Sequence, residues 1–459
     1  MPTSTDVSQR APHIRGITPK ELEGLVAVMK LTETVADKNE NCRIAFCENP
    51  QWSIVMCLFG LLTCSVPPNL KAQILLTLSA FAKTPDIAAN LWQTLEVSQV
   101  LPTAQTGSGR QAGGLQTELE EIESRNEEYP MILGFLDLLN SLTDIPVPAG
   151  LGAGLRAPGF DPYLNFIRDD VFLKFDSRAY KDPADKWRIA SAALEIFCKQ
   201  LKTHEVRPED FTDEMVELQT GGTVAINKSA GHMLMIHMLN DSGLLRKVLK
   251  ILDDVVKVLE THTNTPGNKH MERSSLLCLQ MIEYTLDKAE TFIDACREMG
   301  VSIMVSPMDR LLRGINPRTG KSDHLVNITK YITFNQTMPH HAMSAMKILF
   351  RVSRAAAIQT DLVNLFTAEE KTKSELLHGF VECLEVDDPE TPHKMIILQE
   401  DQDQDTTLSD VRNSTRQYLL HTLIYSLEQP APNLAHYLLG FELSKPVNKT
   451  NIQDPGKYA

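Results

Sequence analysis

Apolar residues return every three or four positions along most of this chain, and the clearest stretch runs from Trp52 to Lys83. Trp52, Val55, Met56, Phe59 and Leu62 follow the spacing of one helix face, and Leu70, Ile74, Leu78 and Phe81 do the same further on. Pro67 and Pro68 lie between the two runs and cannot continue the first helix, because a prolyl ring clashes with the preceding turn and offers no N–H. Val66, which precedes a proline, is pushed toward an extended backbone. Asn69 is expected to cap the second helix. The short corner predicts two antiparallel neighbours. Ile54, Leu58 and Leu61 on one helix, and Leu75, Leu76 and Ala80 on the other, make the second faces apolar as well. A pair that is apolar on two sides needs helices on both flanks, which predicts a stacked helical array.

The rest of the chain repeats the pattern. Thr18-Pro19-Lys20-Glu21 opens a helix with a capping threonine and a proline at its first position. Residues 39–48 form a short helix, and Thr84-Pro85-Asp86 starts another that runs through Leu91 and Leu95. A long helix is expected from Glu118 to about Leu142, with a kink or break at Pro130. Helical spacing then covers 163–175, 183–202 behind Asp182, 228–240, 244–260, 270–299, 307–312, 324–332, 339–358, 361–384, 408–427 and 433–443. No alternating pattern predicts a strand. Gly/Ser/Gln/Thr-rich residues 103–117 and Pro/Gly-rich residues 145–162 predict surface loops, the first of them mobile, and 387–407 an acidic loop. These breaks divide the chain into a helical segment 1–102, a loop-rich segment 103–162 with one long helix, a central solenoid 163–386, the acidic loop 387–407 and terminal helices 408–459. The helices keep no strict sequence period, so the expected fold is an all-α solenoid of degenerate antiparallel pairs.

Charge narrows the function classes. The net charge of −14 argues against a chain-wide nucleic-acid surface, which needs basic residues to neutralise phosphates. The eight cysteines form no C-x-x-C pair and fall mostly in apolar runs, so they read as core residues of a reducing compartment, neither a disulfide framework nor zinc ligands. The first residues carry no apolar signal region, and no apolar run reaches the ~20 residues of a membrane helix. The sequons at Asn227, Asn327, Asn335, Asn413 and Asn448 are therefore expected to stay unglycosylated.

Several motifs imitate chemistry. Gly314 to Ser322 resembles a phosphate loop but has five residues between its glycines and follows a helical run, so an ordinary basic turn is expected. Gly150, Gly152 and Gly154 lack the strand–helix context of a dinucleotide site and predict a flexible loop. Asp401, Asp403 and Asp405 begin like a calcium loop, yet Thr406 and Arg412 stand where it needs Gly and Glu. His204-Glu205 starts like a zinc-protease helix, but Pro208 takes the place of the second His. His232 and His237, among Met233, Met235 and Met238, predict core or rim packing, and the alternative use of those methionines is an adaptable peptide groove. His340-His341 predicts a surface helix start. No nucleophile elbow or activated thiolate is visible, so no catalytic residue, cofactor, metal or small-molecule substrate is expected. What remains is a local basic cluster, Arg310, Arg313, Arg318 and Lys321, where an acidic peptide, a lipid headgroup or a nucleic acid could dock.

Four long strings carry a resemblance: 48–96 (ENPQWSIVMCLFGLLTCSVPPNLKAQILLTLSAFAKTPDIAANLWQTLE), 127–190 (EEYPMILGFLDLLNS… to …KWRIA), 327–354 (NITKYITFNQTMPHHAMSAMKILFRVSR) and 434–456 (LAHYLLGFELSKPVNKTNIQDPG). They are similar, in colinear order, to the larger of the giant scaffold nucleoporins of the nuclear pore inner ring. The resemblance implies an α-solenoid scaffold at the nuclear envelope. Its expected partners are linker nucleoporins, bound through short linear motifs, in support of nucleocytoplasmic transport; no direct sequence-specific nucleic-acid contact and no transmembrane segment are expected. It carries no catalytic residue to any position here. Members of that family are far longer, which marks the chain as an internal fragment, and apolar terminal helices without neighbours predict weak self-association. The single Phe-Gly, Phe59-Gly60, sits in a helix, unlike the many repeats of a barrier nucleoporin. The alternative is a karyopherin-type transport receptor, whose regular ~40–47-residue helix pairs are not visible.

Overall fold

The computed structural model describes residues 17–103, 114–212, 215–217, 223–225, 228–261, 268–301, 304–355, 358–384, 407–443, 445 and 449. Contacts divide the chain into two compact units: one of residues 1–102, 108–125 and 129–146, the other of 103–107, 126–128 and 147–459. Among the described residues both are helical, as expected, apart from one short hairpin.

The first unit contains α1 (Pro19–Lys38), α2 (Glu40–Glu48), α3 (Ile54–Leu62), α4 (Pro68–Phe81), α5 (Pro85–Ser98), α6 (115–126, with a wider turn in its middle) and α7 (Pro130–Leu142). Thr18 and Glu21 form the expected capping box on α1. The organising element is α4. Leu70, Ile74, Leu75, Leu78 and Phe81 are almost fully buried, and even Lys71, Gln73, Thr77 and Ser79 are covered. Its main neighbours are α1 and α7, and α3 is a lesser one, so the expected hairpin is embedded in a broader stack. Gly134 lets α7 approach, since a Cβ there would meet the Ala72 carbonyl oxygen at 3.0 Å. Two covered cations of this unit find partners. Lys71 pairs with Glu118, and Arg43 Nη1 donates to the Ala36 carbonyl at 2.9 Å.

Two expectations fail in this unit. Trp52 and Met56 are 52% and 64% exposed, because α3 begins only at Ile54 and turns Val55, Leu58, Phe59 and Leu62 inward instead. Asn69 caps nothing: α4 starts at Pro68, with Pro67 in the cap position. The break expected at Pro130 is present, and 118–142 is two helices. The Glu123 carboxylate accepts from the Met131 and Ile132 N–H groups at 2.6 and 3.3 Å, satisfying the new N-terminus that Pro130 opens.

The second unit continues with α8 (161–172), α9 (Pro183–Thr203), β1 (Met215–Glu217), β2 (Thr223–Ala225), α10 (Ala230–Met238), α11 (Gly243–Glu260), α12 (Asn268–Glu298), α13 (Met308–Leu312), α14 (His324–Lys330), α15 (Pro339–Ser353), α16 (Gln359–Thr367), α17 (Glu370–Leu384), α18 (Leu408–Leu427) and α19 (Leu434–Leu438). Helices α9, α12, α15 and α18 pack one on the next in a row. Beside three of them lie their sequence partners, giving the pairs α11–α12, α14–α15 and α17–α18. This is a degenerate solenoid of helix pairs. The row is tied by polar contacts as well as by apolar burial. Arg273 meets Glu195 at 3.1 Å, Lys347 meets Glu283 at 2.8 Å, and Arg351 pairs with Asp287.

Here too the structure corrects details. The span 361–384 is broken at 368–369 into α16 and α17. The antiparallel β1–β2 hairpin, with Val216 opposite Val224, was not anticipated; two three-residue strands are too short to show a period. The glycine-rich loop is tied down: Arg156 lies against Gly152 and its Nη1 donates to the Ala157 and Gly159 carbonyls at 2.7 and 3.0 Å. His341 is buried instead of exposed. Its Nε2 donates across to the Glu272 carbonyl at 2.9 Å, and burial lowers its pKa to about 4. Of the eight free cysteines, Cys198, Cys278, Cys296 and Cys383 are core residues, whereas Cys57 and Cys64 are exposed.

Candidate partner groove

The second unit places the basic cluster beside a groove of about 680 Å³, formed by one side of α11 and by residues 306–318 and 324. α11 is strongly amphipathic, and its turn-spaced residues Leu245, Leu249 and Asp253 line one wall. Leu311, Ile315 and Pro317 line the other, with Ile315 72% exposed.

The shape of that second wall depends on Asp253. The residue is only 2% exposed, and it accepts from Asn316 Nδ2 and Asn327 Nδ2, each at 2.8 Å. His324 Nδ1 lies 3.7 Å from the same carboxylate. Burial would raise the Asp253 pKa, but the nearby His324 ring and the hydrogen bonds of Asn327 and Asn316 outweigh it and leave the group below the ordinary aspartate value. Asn316, 1% exposed, also donates to Asp323 Oδ1 at 2.8 Å, while its own Oδ1 accepts from the Arg318 N–H at 3.0 Å. Backbone bonds from Asn316 to Lys321 and from Gly320 to Asn316, both 2.8 Å, close the turn, and Gly320 takes a φ of 69°. Asp253, Asp323 and His324 each bring an atom within 4.8 Å of the others, a spacing that suits a cation. The Asn316 amide nitrogen already bridges the two carboxylates, so the trio reads as a hydrogen-bonded knot that fixes the loop.

The four expected contact residues do not act as one patch. Arg310 and Arg318 line the groove. Arg318 pairs with Asp254 at 2.8 Å, and Arg310 is exposed and alone of the four makes no ion pair among the described residues. Arg313 is held by Asp309 and Asp361 at 3.2 and 2.9 Å, and Lys321 by Glu369 at 2.6 Å. The Glu369 hydrogen bond raises the Lys321 pKa. Those two cations tie the loop toward α16 and α17. Sequence reasoning missed Arg246 and Lys250, which join the groove from α11; only their distance in sequence hid them. Arg246 is gripped by Asp241 through both carboxylate oxygens, at 2.7 and 2.5 Å, and Lys250 pairs with Asp176.

The other motifs resolve differently. The loop 314–322 follows α13, a helix, and its lysine is engaged by Glu369. His204 and His232 are buried, with His232 packed against Phe211 and Phe292 at ring distances of 4.9 and 5.2 Å; burial lowers the pKa of both, that of His204 to about 4. His237 stands 2.7 Å from Arg168 Nη1. Met235 and Met238 are fully buried, the packing role expected of them. Asp401, Asp403 and Asp405 lie outside the described residues, as do Asn227 and Asn448. Among the described residues, no helix is long and apolar enough to cross a membrane.

Comparison with known proteins places this arrangement. The family described as nuclear pore complex scaffold, nucleoporins 186/192/205, matches residues 2–459. The chain is similar to nuclear pore complex protein Nup205 of Homo sapiens, 47% identical over 456 residues, which is 99% of this chain and 22% of the human protein. It is 36% identical over 373 residues to nuclear pore complex protein Nup205 of Drosophila melanogaster, covering 81% of this chain and 17% of that protein. Nuclear pore complex protein NUP205 of Arabidopsis thaliana is 24% identical over 416 residues, 86% of this chain and 19% of the relative. The chain thus spans about a fifth of the length of these curated relatives. On the match over nearly its whole length, the chain belongs to the nuclear pore complex scaffold family of nucleoporins 186/192/205.

Proposed function

We propose that this chain forms a structural segment of the nuclear pore complex scaffold at the nuclear envelope and supports nucleocytoplasmic transport by holding other nucleoporins in place. The observation that carries this reading is the end-to-end family match, laid onto a row of packed helices whose α9–α12 and α12–α15 interfaces also carry ion pairs. The finer reading is that it binds linker nucleoporins through short linear motifs, with Arg310 and Arg318 of the basic cluster on the contact surface and Arg313 and Lys321 shaping the loop behind them. No catalytic step, cofactor or small-molecule substrate belongs to this reading. The family match favours it over a karyopherin-type transport receptor.

The test is capture from nuclear-pore extracts with the tagged full-length protein, against Ran-GTP and Phe-Gly peptides as controls. Retention of linker nucleoporins without either control is expected. Binding of Ran-GTP and Phe-Gly peptides, with linker nucleoporins absent, would overturn it.

A further inference from the structure

Building on the scaffold reading, we infer that the groove between α11 and residues 306–318 takes an acidic segment of a partner protein that carries an aliphatic or aromatic anchor. Two features, each drawn from both walls, specify that chemistry. Leu245, Leu249 and Ile315 offer apolar surface inside a pocket, and an exposed Ile315 gains from being covered. Arg310, Arg246 and Arg318 stand around it, in a chain whose overall charge is negative.

The cations are not equivalent. Arg246 and Arg318 are already matched by Asp241 and Asp254, so each keeps only part of its field. Arg310 has no such partner among the described residues and supplies the uncompensated charge there. Carboxylates therefore alternate with the cations around the rim. A nucleic acid or an anionic bilayer, with phosphates at every step, would meet Asp241 and Asp254 as well as the arginines. A peptide with a few separated carboxylates can reach Arg310 and skirt them, while its anchor enters the pocket. The wall is preset, because Asn316 and Asp253 fix the loop that carries Ile315 and Arg318 before any partner arrives.

The test uses the full chain and a short fluorescent peptide in which Asp and Glu flank two Leu, read by polarisation. The same peptide with Lys for the acids or Ser for the leucines serves as a control, with phosphatidylserine vesicles and a single-stranded oligonucleotide as competing probes. The acidic peptide should bind, its affinity falling as salt rises. Arg310→Glu should weaken it about tenfold and Ile315→Ser several-fold, whereas Lys257→Glu, an exposed reversal on α11 away from the groove lining, should change it less than about twofold. Circular dichroism should show both groove variants folded, since both sites are exposed. Equal weakening by Arg310→Glu and Lys257→Glu, or Arg310-dependent binding of vesicles or oligonucleotide in place of the peptide, would overturn the inference. If linker nucleoporins are captured equally by wild type and Arg310→Glu, the groove assignment fails and the scaffold reading stands. If the peptide binds through Arg310 but no linker nucleoporin is captured, the assignment stands and the linker reading fails.

Discussion

The α3–α4 region and the loop that follows α13 are both fixed by buried atoms, but the atoms differ in kind. Around α4 the buried surface is a continuous apolar face, with Phe59, Leu70, Ile74, Leu78 and Phe81 each 2% exposed or less. In the loop, order comes from one aspartate and two asparagines, Asp253, Asn316 and Asn327, whose bonds cross between elements far apart in sequence. The first kind of order is non-directional and tolerates modest repacking. The second is directional, and removing one partner leaves the others buried and unsatisfied. A scaffold can use both: apolar stacking to hold helices in a row, and a polar knot to hold a loop in one shape.

The largest break in this comparison should come from Phe59→Asp, which loses a buried ring and puts a charge in its place. A loss of at least about 5 kcal/mol is expected, enough to abolish the cooperative urea transition. If that variant keeps the wild-type midpoint, α3 is not part of the core. Asp253→Ala should come next, at about 4 kcal/mol, because Asn316 and Asn327 lose their shared acceptor. It should also loosen the loop, read as faster amide exchange at Arg318 and Lys321. Because the folded pKa of Asp253 lies below its unfolded value, its contribution is complete above the ordinary carboxylate range and is lost as pH falls through the lowered folded value.

A third effect is a pH dependence with a different origin. His341 is buried neutral with a pKa near 4, so its contribution is complete above its unfolded value of ~6.5 and declines as pH falls toward 4, by up to about 3 kcal/mol. Urea midpoints measured at successive pH values should show this decline, flattened in His341→Gln; His204, also near 4, supplies part of what remains. An unchanged slope in His341→Gln would place the titration elsewhere. The smallest effect should be that of Lys321→Ala. Its pair with Glu369 is solvent-exposed, and no resolvable change of the urea midpoint is expected in the same assay.

The sequence conveyed the apolar order well and the polar order poorly, for a physical reason. Helix α18 follows the expected 408–427, and Thr18 with Glu21 forms the expected box, because both signals lie within a few residues of each other. Asp253 sits beside Asp254 in an amphipathic helix and looks like any solvated acid; only Asn316 and Asn327, 63 and 74 residues away, reveal it as the centre of a buried network. His341 was misread because its partner is the Glu272 carbonyl on another helix. Trp52 and Met56 were misread because the true start of α3 shifts the inward face. The groove was half legible: Arg310 and Arg318 stood out as a local cluster, but Arg246 and the leucines of α11 join them only in three dimensions.

The central claim is that this stack of helices is a building element of the pore. Crosslinking mass spectrometry on assembled nuclear pores measures it most directly. The account predicts crosslinks from lysines of this chain, Lys247, Lys250 and Lys257 on α11 among them, to other scaffold and linker nucleoporins. Crosslinks confined to Ran and soluble cargo, with none to scaffold components, would contradict it.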